Sequence, residues 1–441
     1  MLILIRILVF LMYVDEGGKS LTVYADSKMF TPFEWVNGWF FEPIAKVRPF
    51  DLIFFLILLS AGARVRVKPM KNMLLLAVAT TLTWFVLGVI LRGGDMKGGS
   101  WQVYMMVIAP MFAFAIAATH TKAIHYRQLA VVIIAAGVYR AIMCLIFYFG
   151  YVRGGNVYFQ VLTNHYDTVL WVSCIALLTV NFLERRNTAA KAAAFVIIPL
   201  LLPAIHFNNR RLAWLSLATS MVALFLAMPA SAAKRRLKRW GVLLLPVVGL
   251  YVAVGWGRTE KIFKPLASFT SVSSTPDASA LARNVENLGL IATASYSPRS
   301  GTGWGHKYVE ISNKYSIADL MELWQYVPHN SILGLFAFTG VIGMIGYWLV
   351  FPTTFFFHAR TARLARDPLH RSIGLAGVMV SLTCVNQMFG DMGIFSPVTM
   401  YTMGISWAAA LRIPAEAGVW PGNPPPLGVA TAPAAAPSQS A

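Results

Sequence analysis

Long, nearly uninterrupted apolar runs alternate with short polar connections along most of the chain. Runs close to the twenty residues needed to cross a ~30 Å hydrocarbon layer lie at 71–91, 101–119, 128–150, 164–183, 189–207, 211–229, 240–257, 331–357, 371–388 and 394–412. Two weaker runs lie at 2–14 and 48–63. The first carries Arg6 and lacks both a basic leader and a small-residue cleavage site, so it reads as a thin first span and not as a signal peptide. The pattern predicts an all-α integral membrane protein of about twelve transmembrane helices, with no internal repeat.

One connection breaks the rhythm. The segment from Arg258 to Pro328 is far longer than a turn between neighbouring helices needs, and loops of that length usually carry work. It reads as partly helical. Thr275, Pro276 and Asp277 form a helix start, and Leu281, Val285 and Leu288 follow at helical spacing. Ser316 and Asp319 resemble a capping box that opens a second helix, with Ile317, Leu320, Met321 and Trp324 apolar and Pro328 as its stop. Between them, Gly301-Thr302-Gly303-Trp304-Gly305 reads as a flexible turn able to lie close to a ligand. The expected organisation is therefore nine spans over 1–257, a loop domain over 258–328, three spans over 329–412, and a disordered Pro- and Ala-rich cytoplasmic tail over 413–441.

Composition agrees with the spans. Of 441 residues, 57% are hydrophobic and 12% charged, and the mean hydropathy of +0.61 excludes an ordinary soluble domain. The formal net charge of +19 raises the question of a nucleic-acid partner. With the amino terminus cytoplasmic, however, the loops 64–71, 120–127, 184–191, 230–240 and 358–371 face the cytoplasm. They carry eighteen Lys and Arg against Glu184 and Asp367, which is +16 of the total. This is the positive-inside rule, and no nucleic-acid surface is implied. Cys144, Cys174 and Cys384 all fall inside apolar runs, so neither a disulfide framework nor a zinc module is expected. No Walker loop, HExxH, GxSxG or paired-carboxylate signature is present, so ATP hydrolysis, zinc proteolysis and serine hydrolysis have no support.

Candidate chemistry then concentrates on the opposite, periplasmic side, where cations are under-represented. The hairpin Phe207-Asn208-Asn209-Arg210-Arg211 sets two arginines side by side. Unit charges ~4 Å apart repel by about 4 kcal/mol at an effective dielectric near 20, so an anion should offset them. Forked guanidinium groups suit a diphosphate, while snorkelling to lipid headgroups is the plainer use. His329, in Pro328-His329-Asn330, precedes a helix whose positive dipole end favours a neutral imidazole, able to accept a proton or hydrogen-bond an oxyanion. The plainer reading is an interfacial histidine satisfied by backbone. Asp391, between Gly390 and Met392, either orients an imidazole, binds an acceptor hydroxyl, or is only a turn residue. Arg283 and Arg299 are further outer-face cations. Arg140, within a span, is a candidate partner of Asp167.

The order Asn209-Arg210-Arg211-Leu212-Ala213-Trp214, Ala282-Arg283, Gly301 to Gly305, Pro328-His329-Asn330-Ser331-Ile332-Leu333, and Thr339-Gly340-Val341-Ile342-Gly343 resembles the O-antigen ligase and polymerase superfamily over roughly residues 190–350. The resemblance implies a bacterial inner-membrane glycosyltransferase that takes a glycan from undecaprenyl diphosphate on the periplasmic face. Its partners are the lipid-linked donor, a glycan or lipid acceptor, membrane lipids and other polysaccharide-assembly membrane proteins, and it implies neither metal nor cofactor. By match, Arg211 with Arg210 beside it and Arg283 hold the donor diphosphate, His329 assists the acceptor, and Asp391 is the acidic residue near the last outer turn; Arg299, next to the glycine turn, is a further candidate for the diphosphate. The family usually carries a serine before the first arginine; here Asn209 and Arg210 stand in that place, so either arginine can be the equivalent. Surface-polysaccharide polymerase and O-antigen ligase are both compatible, with a lean to polymerase. The rival reading is a transporter or flippase of polar lipids, which should show related halves and broken helices near mid-membrane. This chain instead gathers its unusual polar residues around one asymmetric loop.

Overall fold

The computed structural model describes residues 1–15, 49–61, 65–153, 162–163, 165–184, 188–258, 263, 266, 278–312 and 323–421. The chain enters through α1 (Leu2–Asp15) and α2 (Pro49–Ala61). It continues through α3 (Lys68–Phe85, extended by a π-helical turn at Val86–Leu91), α4 (Met96–Thr119), α5 (Ala123–Phe147), α6 (Asp167–Glu184), α7 (Thr188–Phe207), α8 (Arg211–Ala227) and α9 (Ala232–Gly255). The loop helix α10 (Ala278–Tyr296) follows, and then α11 (Ser331–Trp348), α12 (Val350–Leu364), α13 (Pro368–Gly390) and α14 (Pro397–Glu416). The described residues contain no strand, and the protein is an all-α, multi-pass membrane protein. Among the described residues, eight helices are long and apolar enough to cross a membrane by length and composition, with α11 and α12 counted as one span; α1 and α8 are shorter apolar helices.

Local sequence sets many of the helix starts. The Asp95 carboxylate accepts from the Gly98 N–H at the head of α4, Asp367 from His370 at α13, and Ser396 from Thr399 at α14, the last two with proline in the first turn. These side chains satisfy first-turn N–H groups that have no partner within their own helix. The most buried spans are α4, α6 and α13, and almost every residue of α14 from Val398 to Pro414 is also buried. Around them the outer helices turn apolar faces to lipid, most completely α9. The guanidinium of Arg140 on α5 reaches Asp167 at the start of α6 with two bonds, at 3.0 and 2.7 Å, which confirms the expected pair. All three cysteines are buried and unpaired. The last helix runs to Glu416, four residues beyond the span end read at 412.

The glycine turn corrects one expectation. Gly340 takes φ 61° and ψ −173° inside α11, a conformation that opens the helical ladder. Loop backbone replaces the lost bonds on both sides of the kink. Ala337 and Phe338 carbonyls accept from the N–H groups of Thr302 and Gly303 at 3.3 and 2.8 Å, while Val341 and Ile342 donate to the Pro298 and Arg299 carbonyls at 2.9 and 3.2 Å. The Trp84 indole of α3 donates to Ser300 O at 2.6 Å, and Arg92 donates to Gly301 O at 2.6 Å. Trp304 is fully buried. Gly301 to Gly305 is thus a buried joint between α3 and α11, not a flexible turn beside a ligand. Apolar surroundings demand that every backbone group in the break find a partner, and this turn supplies them.

Of the loop helices, the start predicted at 275–277 and the capping box at 316–319 lie outside the described residues. Within α10 the buried positions are Glu286, Gly289, Leu290, Thr293 and Ala294, while Leu288 is exposed. The apolar stripe of Leu281, Val285 and Leu288 therefore is not the face that packs inward. A carboxylate on the inward face has to be answered by polar groups, and those belong to the site.

Candidate functional site at the loop end of the bundle

The hairpins after α7 and α13, the start of α6, the loop helix α10 and the start of α11 all meet at one end of the bundle. Asn208 builds the first part. Buried between α7 and α8, its Oδ1 accepts from the N–H groups of Leu162 and Thr163 at 3.1 and 3.0 Å, which ties the hairpin to the segment leading to His165. Asn209 then takes φ 58°, a left-handed turn that asparagine tolerates. Arg210 is turned inward as the N-cap residue of α8, while Arg211 is exposed.

Arg210 forms an ion pair with Asp391, its Nη2 bonded to Oδ2. His165 Nδ1 lies 2.8 Å from the same oxygen. The 2.7 Å approach of Arg210 Nη2 to His165 Nδ1 follows from both groups converging on that one acceptor. Burial alone would raise the Asp391 carboxyl, but the Arg210 charge, with His165 and Arg283 behind it, outweighs burial and holds it far below the usual carboxylate range. The anion that the adjacent arginines require is thus supplied in part by the protein.

Arg283 approaches the same hairpin from α10, donating from Nη1 to the Gly390 carbonyl at 3.1 Å, at the negative end of α13. Three residues on, and so on the same helix face, Glu286 meets His329. Its Oε1 accepts from the His329 backbone N–H at 2.6 Å, and its Oε2 lies 2.8 Å from Nδ1. The His329 carbonyl accepts from Met392 N at 2.6 Å, and Ser331 Oγ accepts from Ile394 N at 3.3 Å, so the start of α11 is knitted to the Asp391 hairpin. Asn330 caps α11 by accepting from Leu333 N at 3.1 Å.

Arg210, Arg283, His329 and Asp391 are therefore brought together, although they lie far apart in the chain. Arg299 is not. It is exposed beyond the far end of α10, beside the joint with α11, where its carbonyl accepts from Ile342. Asp391 faces Arg210 and His165, and not the imidazole of His329. Two further residues emerge. His165 is an outer-end histidine two positions before Asp167, and Glu286 sits three positions after Arg283. Spacing offered a hint for the second only. Among the described residues, no group of three or more His, Cys, Asp or Glu could hold a metal ion.

The fold and the site together define a polytopic membrane protein with a cationic, imidazole-bearing site where the loop helix α10 meets the bundle. Residues 193–348 match the family model described as O-antigen ligase, which supports the chain's membership of the O-antigen ligase and polymerase superfamily. No curated protein matches the chain. The matched segment contains Arg210, Arg211, Arg283, Glu286 and His329; His165 and Asp391 lie outside it and are joined to it by the fold. Members are glycosyltransferase-like ligases and polymerases, which supports an enzyme acting on a lipid-linked glycan and an acceptor.

Proposed function

We propose that the protein transfers a glycan from an undecaprenyl diphosphate carrier to an acceptor hydroxyl at the periplasmic face of the inner membrane, as a surface-polysaccharide polymerase or an O-antigen ligase. The observation that carries this reading is the convergence of Arg210 and Arg283 on one hairpin beside His329. In the reaction the bond from the anomeric carbon to the diphosphate oxygen breaks, and the acceptor oxygen bonds to that carbon. The acceptor proton passes to the His329 imidazole, and the leaving diphosphate keeps the electron pair. Negative charge grows on the leaving group, so cations set in advance at that point lower the barrier. Arg283, Arg210 and the exposed Arg211 carry this role, with Asp391 holding Arg210 in place. Arg299 has no part in it.

The test is transfer by purified protein given a carrier-linked glycan and acceptor, with ATP absent. Longer or transferred glycan is expected, with product on a second carrier-linked unit marking a polymerase and product on a core lipid marking a ligase. Arg283→Ala should lose turnover, and Arg283→Lys should not restore it fully, because a point charge lacks the fork. Movement of the lipid across the bilayer without any new glycosidic bond would establish the transporter reading instead.

A further inference from the structure

We propose that Glu286 is a positioning residue for His329, setting the imidazole so that Nδ1 carries the proton and Nε2 is the base that faces the acceptor. The inference rests on the reading of His329 as the acceptor base. Glu286 is buried, and its two oxygens are both committed to one residue, Oε1 to the His329 backbone N–H and Oε2 to the ring. An ionised carboxylate only accepts hydrogen bonds, so the ring nitrogen facing it must be the protonated one. The backbone bond fixes the rotation of the carboxylate. The His329 backbone is in turn held by Met392 N at its carbonyl. With Nδ1 occupied, Nε2 keeps its lone pair, and the side chain remains 20% exposed and open to an incoming hydroxyl. A carboxylate in this place also stabilises the imidazolium that forms as the acceptor proton arrives.

Because Arg283 and Glu286 share one face of α10, a single helix delivers the cation for the leaving group and the carboxylate for the base. Docking of α10 thus completes both halves of the site together.

Glu286→Gln separates this role from packing. Glutamine has the same shape, but only one of its two terminal atoms accepts. If its oxygen takes the His329 N–H, its NH₂ faces Nδ1 and forces the proton onto Nε2, which removes the base. Turned over, it sets donor against donor at the backbone.

The experiment measures turnover, donor KM and thermal stability for full-length wild type, Glu286→Gln, His329→Ala and the double variant, with a carrier-linked glycan as donor. Glu286→Gln should lose on the order of 10²- to 10⁴-fold in turnover, as loss of a general base does, with donor KM and melting temperature near wild type. The double variant should be no worse than His329→Ala, because the two act as one unit. Gln near wild-type turnover with His329→Ala inactive, or losses that multiply, would overturn the proposal. A fully active His329→Ala would instead defeat the reading of His329 on which it stands. A second measurement does not depend on turnover: ¹⁵N shifts of the His329 ring in wild-type protein in bilayers, identified by difference from His329→Ala, should place the proton on Nδ1, and a proton on Nε2 would refute the assignment.

Discussion

At the scale of single residues, the consequential pair is Arg210 and Asp391. A carboxylate with only 2% of its side chain exposed is held ionised by a guanidinium that is itself 13% exposed. Removing one partner strands the other, at a cost of roughly 3–5 kcal/mol for a buried pair. Arg210→Ala should therefore lower the melting temperature as well as turnover, whereas Arg210→Ala combined with Asp391→Ala should regain much of the stability and none of the activity. Arg211→Ala, at an exposed position, should lower the melting temperature far less. Equal melting of the Arg210 and Arg211 variants would contradict this division. The same pair gives a pH dependence of definite sign. Because the folded Asp391 lies below its unfolded value of about 3.9, its stabilisation is complete above that value and fades as the pH falls through the folded one. Wild type should lose melting temperature more steeply than Asp391→Asn when acidified below about pH 4.

At the scale of elements, the joint between the glycine turn and α11 holds the loop helix at the bundle. A Cβ at Gly340 would lie 2.4 Å from the Arg299 carbonyl carbon, and φ 61° is strained for any L side chain. Sterics and strain together predict that Gly340→Ala parts the turn from α11 and frees α10, at a strain cost on the order of 1–3 kcal/mol. Limited proteolysis should then cut the α10 region faster than in wild type, and turnover should fall although no site residue has changed. Wild-type cleavage and turnover in that variant would show the joint to be dispensable. This element was readable only in part. The glycines at 301, 303, 305 and 340 stand out in the sequence, but glycine permits flexibility and tight packing equally, and only the partner backbone tells them apart. For α10 the spacing of Leu281, Val285 and Leu288 indicated a helix but not its buried face, which carries Glu286 together with Gly289, Leu290, Thr293 and Ala294.

At the scale of the whole molecule, the described residues of the Lys- and Arg-rich loops lie at the end of the bundle opposite the site, as the alternation of helices requires. If the positive-inside rule sets the orientation, a cysteine placed at exposed Ser295 should react with a membrane-impermeant thiol reagent in intact cells. One at exposed Arg366 should react only after the membrane is opened. The three native cysteines are fully buried, so background labelling is low. The opposite labelling would place the site on the cytoplasmic side and overturn the orientation.

The sequence by itself determined the helical, multi-pass class, the alternation of basic and non-basic connections, and the candidates Arg210, Arg211, Arg283, His329 and Asp391. Apolar run length and loop charge are local quantities, set by the membrane as solvent. Only the tertiary structure decided which arginine turns inward, that Arg299 stays apart, and that His165 and Glu286 join the site. Those outcomes depend on contacts between residues such as Arg210 and Asp391, 181 positions apart. No spacing along the chain encodes such a meeting, because it follows from how the helices pack and from the need of each buried charge for a partner.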